Sequence, residues 1–236
     1  MDSMDSTRKP SLHPGPKTKL TAALLVSFAC AAVFIMLALL IDRPSLYRFD
    51  HAVIEAVQGT EAPWLTEIMK GFTFIGSGGS VALITLVAAV ALYYVLGHRR
   101  ELILLLGTAA GSALLNTILK VAFRRTRPDI NRLIEITGYS FPSGHSMAAF
   151  TLYGVITYLL WKHAVSVWLR VLIVGISAVM IAGIGVSRIY LGVHYPSDVV
   201  GGFLASGCYV ALSIQFYRKL RSRRERQADE NRMKRV

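Results

Sequence analysis

The sequence predicts an all-α, polytopic membrane protein with six transmembrane helices and a short interfacial helix between the first two. Composition is the first reason: of 236 residues, 53% are hydrophobic and only 17% are charged, with a mean hydropathy of +0.48. A soluble domain is normally about a quarter charged. Patterning is the second reason, because the apolar residues gather into runs close to the roughly 20 residues that a helix needs to cross a bilayer.

Six apolar segments are predicted to span the membrane. The first run is too long for the hydrophobic region of a secretory signal peptide, and no small-residue cleavage site follows it. We therefore expect residues 20–217 to form one membrane domain between an amino-terminal tail, 1–19, and a basic carboxy-terminal tail, 218–236. The predicted spans comprise residues 20–41, 80–96, 102–123, 146–161, 169–189 and 199–217.

The stretch from residue 42 to residue 79 lacks a clean span. Its helical spacing of apolar residues predicts a short amphipathic helix that lies at the membrane interface. A seventh span through residues 64–75 is rejected because Glu67 and Lys70 interrupt it. The apolar residues with helical spacing are Phe49, Val53, Ile54 and Val57.

The distribution of Lys and Arg predicts the orientation in the membrane. With the amino terminus in the cytoplasm, 17 of the 26 basic residues fall on the cytoplasmic side and 9 on the outer side. Positive charge favours the cytoplasmic side, so we expect both termini there, in a plasma or inner membrane, with the polar clusters described below facing outward. Nine basic residues follow Tyr217. We expect them to contact anionic lipid headgroups rather than nucleic acid.

Two cysteines, Cys30 and Cys208, fall near the middle of predicted spans. We interpret them as small packing residues in an apolar environment. They indicate neither a redox compartment nor a metal site, and the sequence does not predict an oligomeric state.

Three polar clusters interrupt the apolar chain, and each lies where a predicted span meets water. The first joins Lys120 to Arg127, seven residues later. Seven residues make nearly two helical turns, so the two side chains share a face if the helix continues that far, and Pro128 would then end it. The pair suits a phosphate, although two cations at a membrane boundary often only extend toward water. The spacing gives no reason to prefer the neighbouring Arg124 or Arg125.

The second cluster is Pro142-Ser143-Gly144-His145, directly before the fourth span. Proline, serine and glycine favour a turn that opens into a helix, whose free N–H groups attract an anion. Ser143 is expected either to cap this helix or to contact a phosphate directly, and the sequence leaves both interpretations open. His145 is an imidazole beside an anion site, so it can deliver a proton to a departing oxygen near neutral pH.

The third cluster runs from Ser187-Arg188 to His194 and Asp198. The residue before Pro196 should be extended, which places His194 outside a helix. Pro196 can begin the last helix, with Asp198 in its first turn, where the helix dipole favours a carboxylate. Asp198 can accept a hydrogen bond from one nitrogen of His194 and leave the other nitrogen free to attack.

Two histidines and a carboxylate also resemble a metal-binding triad. Lys120, Arg127 and Arg188 would place three positive charges against one aspartate. That field repels a divalent cation and attracts a phosphate. We therefore expect no metal and no other cofactor.

Together the three clusters resemble the signature of the type-2 phosphatidic acid phosphatase family. The strings are KVAFRRTRP at 120–128, PSGH at 142–145 and SRIYLGVHYPSD at 187–198. The family pattern is Lys, six residues and Arg-Pro; then Pro-Ser-Gly-His; then Ser-Arg, five residues, His, three residues and Asp. Every position of this pattern is filled here, in order.

The resemblance implies a metal-independent phosphatase. His194 would form a phosphohistidine, Asp198 would orient it, and His145 would act as general acid toward the leaving group. Cations and helix N–H groups can stabilise phosphoryl transfer without magnesium. The phosphoryl oxygens would be held by Lys120, Arg127, Ser143, Gly144 and Arg188.

An outward-facing site at headgroup level suggests a membrane lipid as substrate. The resemblance is to bacterial members, and it allows phosphatidic acid, phosphatidylglycerophosphate and undecaprenyl diphosphate, of which the last two are favoured. A headgroup transferase that shares the nucleophile is the alternative. A transporter or a non-catalytic lipid-binding protein is the third hypothesis, because ionisable groups within membranes often mark transport paths. Against it, the charges cluster at one face, no inverted halves are evident, and His194 and Asp198 are both present.

Overall fold

The computed structural model describes residues 16–95, 97 and 99–233. The regular secondary structure of this part of the chain is entirely helical, which confirms the predicted all-α class. Residues 1–15 of the predicted amino-terminal tail and residues 234–236 of the carboxy-terminal tail lie outside the described residues. The helices are α1 Pro16–Leu40, α2 Pro44–Gln58, α3 Pro63–Ile75, α4 Gly78–Val90 with a π-helical extension Ala91–Val95, α5 Glu101–Phe123, α6 Gly144–Trp161, α7 Val167–Tyr190 and α8 Pro196–Met233.

Four helical segments within the described residues are long and apolar enough to cross a membrane. A fifth candidate combines α1 and α2, because Leu24–Leu40 and Pro44–Gln58 meet these criteria only together, and the two parts are bent by 100°. The prediction of six spans is therefore not confirmed. Predicted span 146–161 corresponds to α6, which is not among the candidates. The four segments are Gly78–Val95, Glu101–Phe123, Val167–Tyr190 and Pro196–Arg224.

Helix α6 lies inside the helical bundle, in contact with α5, α7 and α8. It buries polar residues such as Ser146 and Thr151 together with apolar ones such as Leu152 and Val155. Thr151 donates a hydrogen bond to Ser112 of α5 at 3.0 Å. Because much of its surface contacts protein rather than lipid, α6 can carry small and polar residues that lower its hydropathy.

Two helices, rather than one, lie between α1 and α4. In α2, Ile54 is fully buried and Val57 packs beside it, whereas Phe49 is 56% exposed, so the packed face differs from the predicted one. The interfacial position predicted for this helix is not confirmed. The second helix, α3, has 13 residues and contacts α7. Its Glu67 and Lys70 form an exposed ion pair at 2.9 Å, so the charges that argued against a span here belong to a short surface helix.

The outer faces of the long helices expose large apolar side chains. Phe28 of α1 is 74% exposed, and Leu83 of α4, Leu114 of α5 and Val179 of α7 are each more than 60% exposed. Soluble proteins rarely leave contiguous apolar surface of this extent in water. These faces suit a lipid environment.

The segment between α5 and α6, residues 124–143, packs against the connection between α7 and α8. Leu133 N donates to the carbonyl oxygen of Leu191 at 3.1 Å. Gly192 has φ +72, and a Cβ there would lie 2.5 Å from the carbonyl oxygen of Asn131. Glycine therefore supplies both the backbone conformation and the close approach that this contact requires.

Candidate active site

His194 and Asp198 lie together at the start of α8. Asp198 is in the first turn of that helix, and His194 precedes the helix. The exposed fractions are 1% for His194 and 0% for Asp198. The Nδ1 atom of His194 lies 3.3 Å from the Oδ2 atom of Asp198. The carboxylate therefore contacts the imidazole at one of its two nitrogens, the geometry expected of the predicted orienting group.

The second nitrogen of His194 faces Arg127. The Nη1 atom of Arg127 lies 3.1 Å from His194 Nε2, and Arg127 also donates to the carbonyl oxygens of Val193, at 2.8 Å, and Gly138, at 2.9 Å. A guanidinium can only donate hydrogen bonds, so Nε2 accepts one and carries a lone pair. This arrangement assigns the proton of the neutral ring to Nδ1, beside Asp198.

The environment keeps His194 in its neutral form. Burial lowers the pKa of His194 to about 4; Asp198 opposes that shift through its hydrogen bond and its charge, and Arg188 and Arg127 lower the pKa further. At pH 7 the ring is therefore uncharged, and its lone pair is available to act as a base or a nucleophile.

Lys120 and Arg127 meet at one backbone carbonyl. Lys120 Nζ donates to the carbonyl oxygen of Tyr139 at 2.9 Å, and Arg127 Nη2 lies 3.3 Å from the same oxygen. The two cations do not share a helical face, because α5 ends at Phe123 and Arg124 is left-handed with φ 48. The irregular segment after α5, rather than a continued helix, brings Arg127 back toward Lys120.

Arg188 is buried with unused hydrogen-bond donors. It lies in the last turn of α7, is 1% exposed, and donates through Nη1 to the hydroxyl of Thr73 on α3. Among the described residues, no partner contacts its Nε or Nη2. A buried guanidinium with unpaired N–H groups is unfavourable without an acceptor. The position of Arg188 therefore suits an anion.

The described residues contain no group of three His, Cys, Asp or Glu side chains that could hold a metal ion.

Ser143 caps α6 and is completely buried. Its hydroxyl oxygen lies 3.4 Å from Ser146 N and 3.0 Å from Ser146 Oγ, and its own N–H donates to the carbonyl oxygen of Asp198 at 3.0 Å. Of the two interpretations left open by the sequence, this geometry favours the cap. Gly144 allows Asn116 to approach, since a Cβ at Gly144 would lie 2.9 Å from Asn116 Oδ1.

His145 is half-buried and lies within electrostatic range of Lys120, Arg127, Arg188 and His194. Cations and imidazoles of all three sequence clusters therefore lie close enough to His145 to affect its charge. His145 and Gly144 also line a cavity of about 790 Å³ between α4, α5 and α6. The rest of that lining is mostly small or apolar, including Val81, Leu106, Met147 and Leu152.

Sequence reasoning missed several groups that contact Asp198. Arg125 Nη1 lies 2.7 Å from Asp198 Oδ1, and Ser140 Oγ donates to Asp198 Oδ2. Arg125 Nη2 in turn lies 2.8 Å from Asp50 Oδ2 of α2. One signal was present in the sequence: Asp50 shares the helical face of Ile54 and Val57, and a carboxylate on a packed apolar face needs a partner.

Comparison with known proteins identifies the family. Residues 100–222 match the sequence profile of the PAP2 superfamily. That match covers more than half of the chain and includes all three polar clusters. The chain belongs to the PAP2 superfamily.

The relatives of this PAP2 protein include lipid phosphatases. It is 36% identical over 176 residues to phosphatidylglycerophosphatase B of Bacillus subtilis, which covers 72% of this chain and 84% of the relative. It is 39% identical over 79 residues to an undecaprenyl-diphosphatase of Sulfolobus acidocaldarius, 34% of each chain. A crystal structure of a transmembrane PAP2 type phosphatidylglycerolphosphate phosphatase from Bacillus subtilis matches with a TM-score of 0.77 and 32% identity, over 82% of this chain and 96% of that one.

These matches confirm the family predicted from the three clusters. The PAP2 protein is a phosphatase, a phosphoric ester or diphosphate hydrolase, and a membrane protein. The individual roles assigned to its site residues stay predictions.

Proposed function

We propose that this PAP2 phosphatase hydrolyses a membrane lipid phosphate or diphosphate through a phosphohistidine formed on His194. The arrangement of the His194 ring carries the proposal: Nδ1 faces Asp198 at 3.3 Å, and Nε2 accepts from Arg127 at 3.1 Å. The lone pair of Nε2 therefore lies beside the cation expected to bind the phosphate, which is the position that an attacking atom must take.

In the first step, His194 Nε2 attacks phosphorus. An N–P bond forms, and the bond from phosphorus to the leaving oxygen breaks. The leaving oxygen, a lipid alcohol or a lipid phosphate, takes a proton from His145. In the second step, water attacks the phosphohistidine, the N–P bond breaks, and the water proton returns to His145. Inorganic phosphate is released, and both histidines regain their starting states.

His145 must be protonated to act first as an acid. Burial, with the charge of Arg188 next in size, lowers the pKa of His145 to about 3 in the free protein. A phosphate bound among the same cations adds negative charge beside the ring, which raises the pKa of His145. We therefore infer that His145 takes up its proton when the substrate binds.

The phosphoryl oxygens are expected to contact Arg188, Arg127 and Lys120. Arg188 offers two buried donors without a partner among the described residues. Arg127 and Lys120 are now joined only through the carbonyl oxygen of Tyr139, which a charged phosphoryl oxygen can replace. Three cations fixed before the reaction stabilise the charge of the equatorial oxygens in the transition state.

A lipid tail is expected in the cavity beside His145. Its volume of about 790 Å³ lies within the usual range of ligand sites, and most of its lining is apolar. A substrate whose phosphate reaches His145 could extend its hydrocarbon chain along α4 and α5. The lipid phosphatases among the relatives support the same substrate class.

We propose that the site faces the outside of a plasma or inner membrane and that both termini are cytoplasmic. The asymmetry of Lys and Arg, 17 against 9, supports this orientation. Undecaprenyl diphosphate and phosphatidylglycerophosphate are the favoured substrates, and phosphatidic acid is the third candidate. A headgroup transferase would use the same His194 chemistry, with a lipid or sugar hydroxyl replacing water in the second step.

The test is phosphate release by the purified full-length protein from these three lipids, in detergent micelles with excess EDTA. We expect release from at least one lipid, and less than a thousandth of that rate in His194→Ala. Activity that disappears in EDTA and returns with magnesium would contradict the metal-free mechanism. Full activity in His194→Ala would contradict the assignment of His194 as the nucleophile.

A matched pair of variants tests the lipid cavity. Ala109→Phe fills the cavity beside α5, whereas Ala178→Phe changes an exposed position on α7. We expect Ala109→Phe to lower kcat/KM for the long-chain lipid but not for a short-chain soluble phosphate ester, and Ala178→Phe to change neither. Equal effects of Ala109→Phe on both substrates would contradict a tail in this cavity.

A further inference from the structure

Arg125 lies between two buried carboxylates from distant parts of the chain. Its Nη1 donates to Asp198 Oδ1 at 2.7 Å, and its Nη2 donates to Asp50 Oδ2 at 2.8 Å. Both aspartates are 0% exposed, and Arg125 is 9% exposed. Its guanidinium also lies 4.0 Å from the centre of the Tyr195 ring. Three charges in such an environment are favourable only when each is paired closely.

Asp50 also fixes the first turn of α8. Its Oδ1 accepts from Ser197 N at 2.9 Å, and its Oδ2 accepts from Ser197 Oγ at 2.6 Å. Arg125 Nη1 reaches the same hydroxyl at 2.7 Å. One carboxylate of α2 therefore holds both Arg125 and the backbone of the residue that precedes Asp198.

Both oxygens of the Asp198 carboxylate have partners. Arg125 contacts Oδ1, whereas Oδ2 accepts from Tyr195 N at 2.9 Å and from Ser140, and faces His194 Nδ1 at 3.3 Å. The plane of the carboxylate is thus set by groups on both of its oxygens. Rotation that would carry Oδ2 away from His194 must break the contact with Arg125.

We propose that Arg125 and Asp50 are positioning residues that hold Asp198 in the orientation and charge state that His194 needs for attack. This inference rests on the proposed role of His194 as nucleophile. Both Nη groups of Arg125 are occupied by carboxylates, so it is not a further phosphate ligand. Arg125 is proposed to affect the reaction by holding Asp198.

The second carboxylate has a specific electrostatic consequence. One cation shared by Asp50 and Asp198 leaves this group of three with a net charge of −1. His194 gains positive charge as its Nε2 bonds to phosphorus, and Asp198 stabilises that charge best when Arg125 does not fully neutralise it. Arg125 therefore keeps Asp198 ionised, and Asp50, which shares that cation, leaves the charge of Asp198 only partly compensated.

The test compares four variants with wild type: Asp50→Asn, Arg125→Lys, Arg125→Met and the apolar pair Asp50→Leu/Arg125→Met. The pair removes one positive and one negative charge together, which buried ion pairs often tolerate, and Asp198 keeps its hydrogen bonds from Ser140 and Tyr195 N. Arg124→Gln is the matched control, because Arg124 is adjacent and exposed, and its side chain donates to the carbonyl oxygen of Val121 in its own turn. The measurements are kcat, KM, the inhibition constant of inorganic phosphate, and the melting temperature in detergent.

We expect kcat to fall about 10-fold in Asp50→Asn and about 100-fold in Arg125→Met, the loss that a small misplacement of a reacting group causes. Arg125→Lys should recover part of the loss. KM and the inhibition constant of phosphate should stay within threefold of wild type, since Lys120, Arg127 and Arg188 are untouched. The apolar pair should melt as a folded protein and still lose kcat, and Arg124→Gln should match wild type.

A purely structural role would give a different pattern. A kcat within twofold of wild type in Asp50→Asn or in the folded apolar pair would overturn the proposal, as would weaker phosphate inhibition that accounts for the lost activity. If Asp50→Asn does not fold, the kcat of the folded apolar pair tests the proposal instead. Failure of wild-type protein to form a phosphohistidine would instead contradict the proposed function, so the two failures are distinguishable.

Discussion

Arg127 Nη1 lies 3.1 Å from His194 Nε2, so a cation proposed to hold the phosphate touches the atom proposed to attack it. Arg127 can only donate, which assigns the lone pair to Nε2 and the proton to Nδ1 beside Asp198. A phosphoryl oxygen that replaces His194 as the acceptor for Arg127 brings phosphorus toward that lone pair. The proposed mechanism therefore couples phosphate binding to exposure of His194 Nε2 through one donor.

Asp198→Asn tests the orienting carboxylate. Asparagine keeps the size of the side chain but loses its charge, and its amide can donate to His194 and select the wrong tautomer. We expect kcat to fall about 10³- to 10⁴-fold, as in other histidines that lose their orienting aspartate. Asp129→Asn is the control, because Asp129 is 99% exposed. A loss smaller than tenfold in Asp198→Asn would contradict the assigned role.

Arg188→Lys tests whether the free donors of Arg188 bind phosphate. Lysine keeps the positive charge but lacks the planar fork that can contact two phosphoryl oxygens while Thr73 is also bonded. We expect kcat/KM to fall about 100-fold, the typical loss of one preorganised donor. The same substitution at Arg170, near the opposite end of α7, should leave the rate unchanged. Similar rates for the two variants would exclude Arg188 as a phosphate ligand.

The pH dependence of kcat/KM reports the ionisation of the free enzyme. His194 must be neutral to attack, and its pKa is lowered to about 4, chiefly by burial. Because His145 must also gain a proton and its pKa in the free protein is lowered to about 3, kcat/KM should rise rather than fall as pH drops through 6.5, where an ordinary histidine becomes charged, and should level off only as His194 becomes charged near pH 4. The lipid phosphate also ionises in this pH range, so its ionisation is measured by ³¹P NMR and the kcat/KM profile is corrected for it. A remaining acidic limb at pH 6.5 or above would contradict a buried, neutral His194.

Gly192→Ala tests the contact between the segment after α5 and the connection before α8. Alanine there combines an unfavourable left-handed backbone, φ +72, with a Cβ 2.5 Å from the oxygen of Asn131. We expect a loss of about 2 kcal/mol or more in the free energy of unfolding, seen as a lower melting temperature in detergent. Gly138→Ala separates the two causes, because Gly138 has φ +82 but open space around it. Equal melting temperatures for the two variants would show that the close approach adds nothing.

The sequence predicted the signature residues because their spacing is local. His194 and Asp198 are four residues apart at the start of a helix, which Pro196 indicates in the sequence. In the structure, His194 Nδ1 lies 3.3 Å from Asp198 Oδ2. The partners of Asp198 were missed because they come from far along the chain. Arg125 precedes it by 73 residues, and Asp50 precedes Arg125 by 75. Only the folded packing of α2 against α8 reveals that they meet.

The six predicted spans are not confirmed for a related reason. A helix was predicted at 146–161 and α6 forms there, but Ser146 and Thr151, which are buried against protein, lower its hydropathy, so α6 falls outside the candidate spans. The helix α3 was missed because its charges were considered only as an obstacle to a span. Its start at Pro63 and its end before Gly76 were readable signals of a short helix.

Capture of the covalent intermediate tests the central claim most directly. Wild-type protein is mixed with a ³²P-labelled lipid phosphate and quenched in alkali within milliseconds, and the labelled peptide is mapped by mass spectrometry. A phosphohistidine is stable in alkali and labile in acid, unlike a phosphoserine. We predict label on His194 in wild type and none in His194→Ala. Turnover with no labelled enzyme at any quench time, or label on another residue that persists in His194→Ala, would contradict the account.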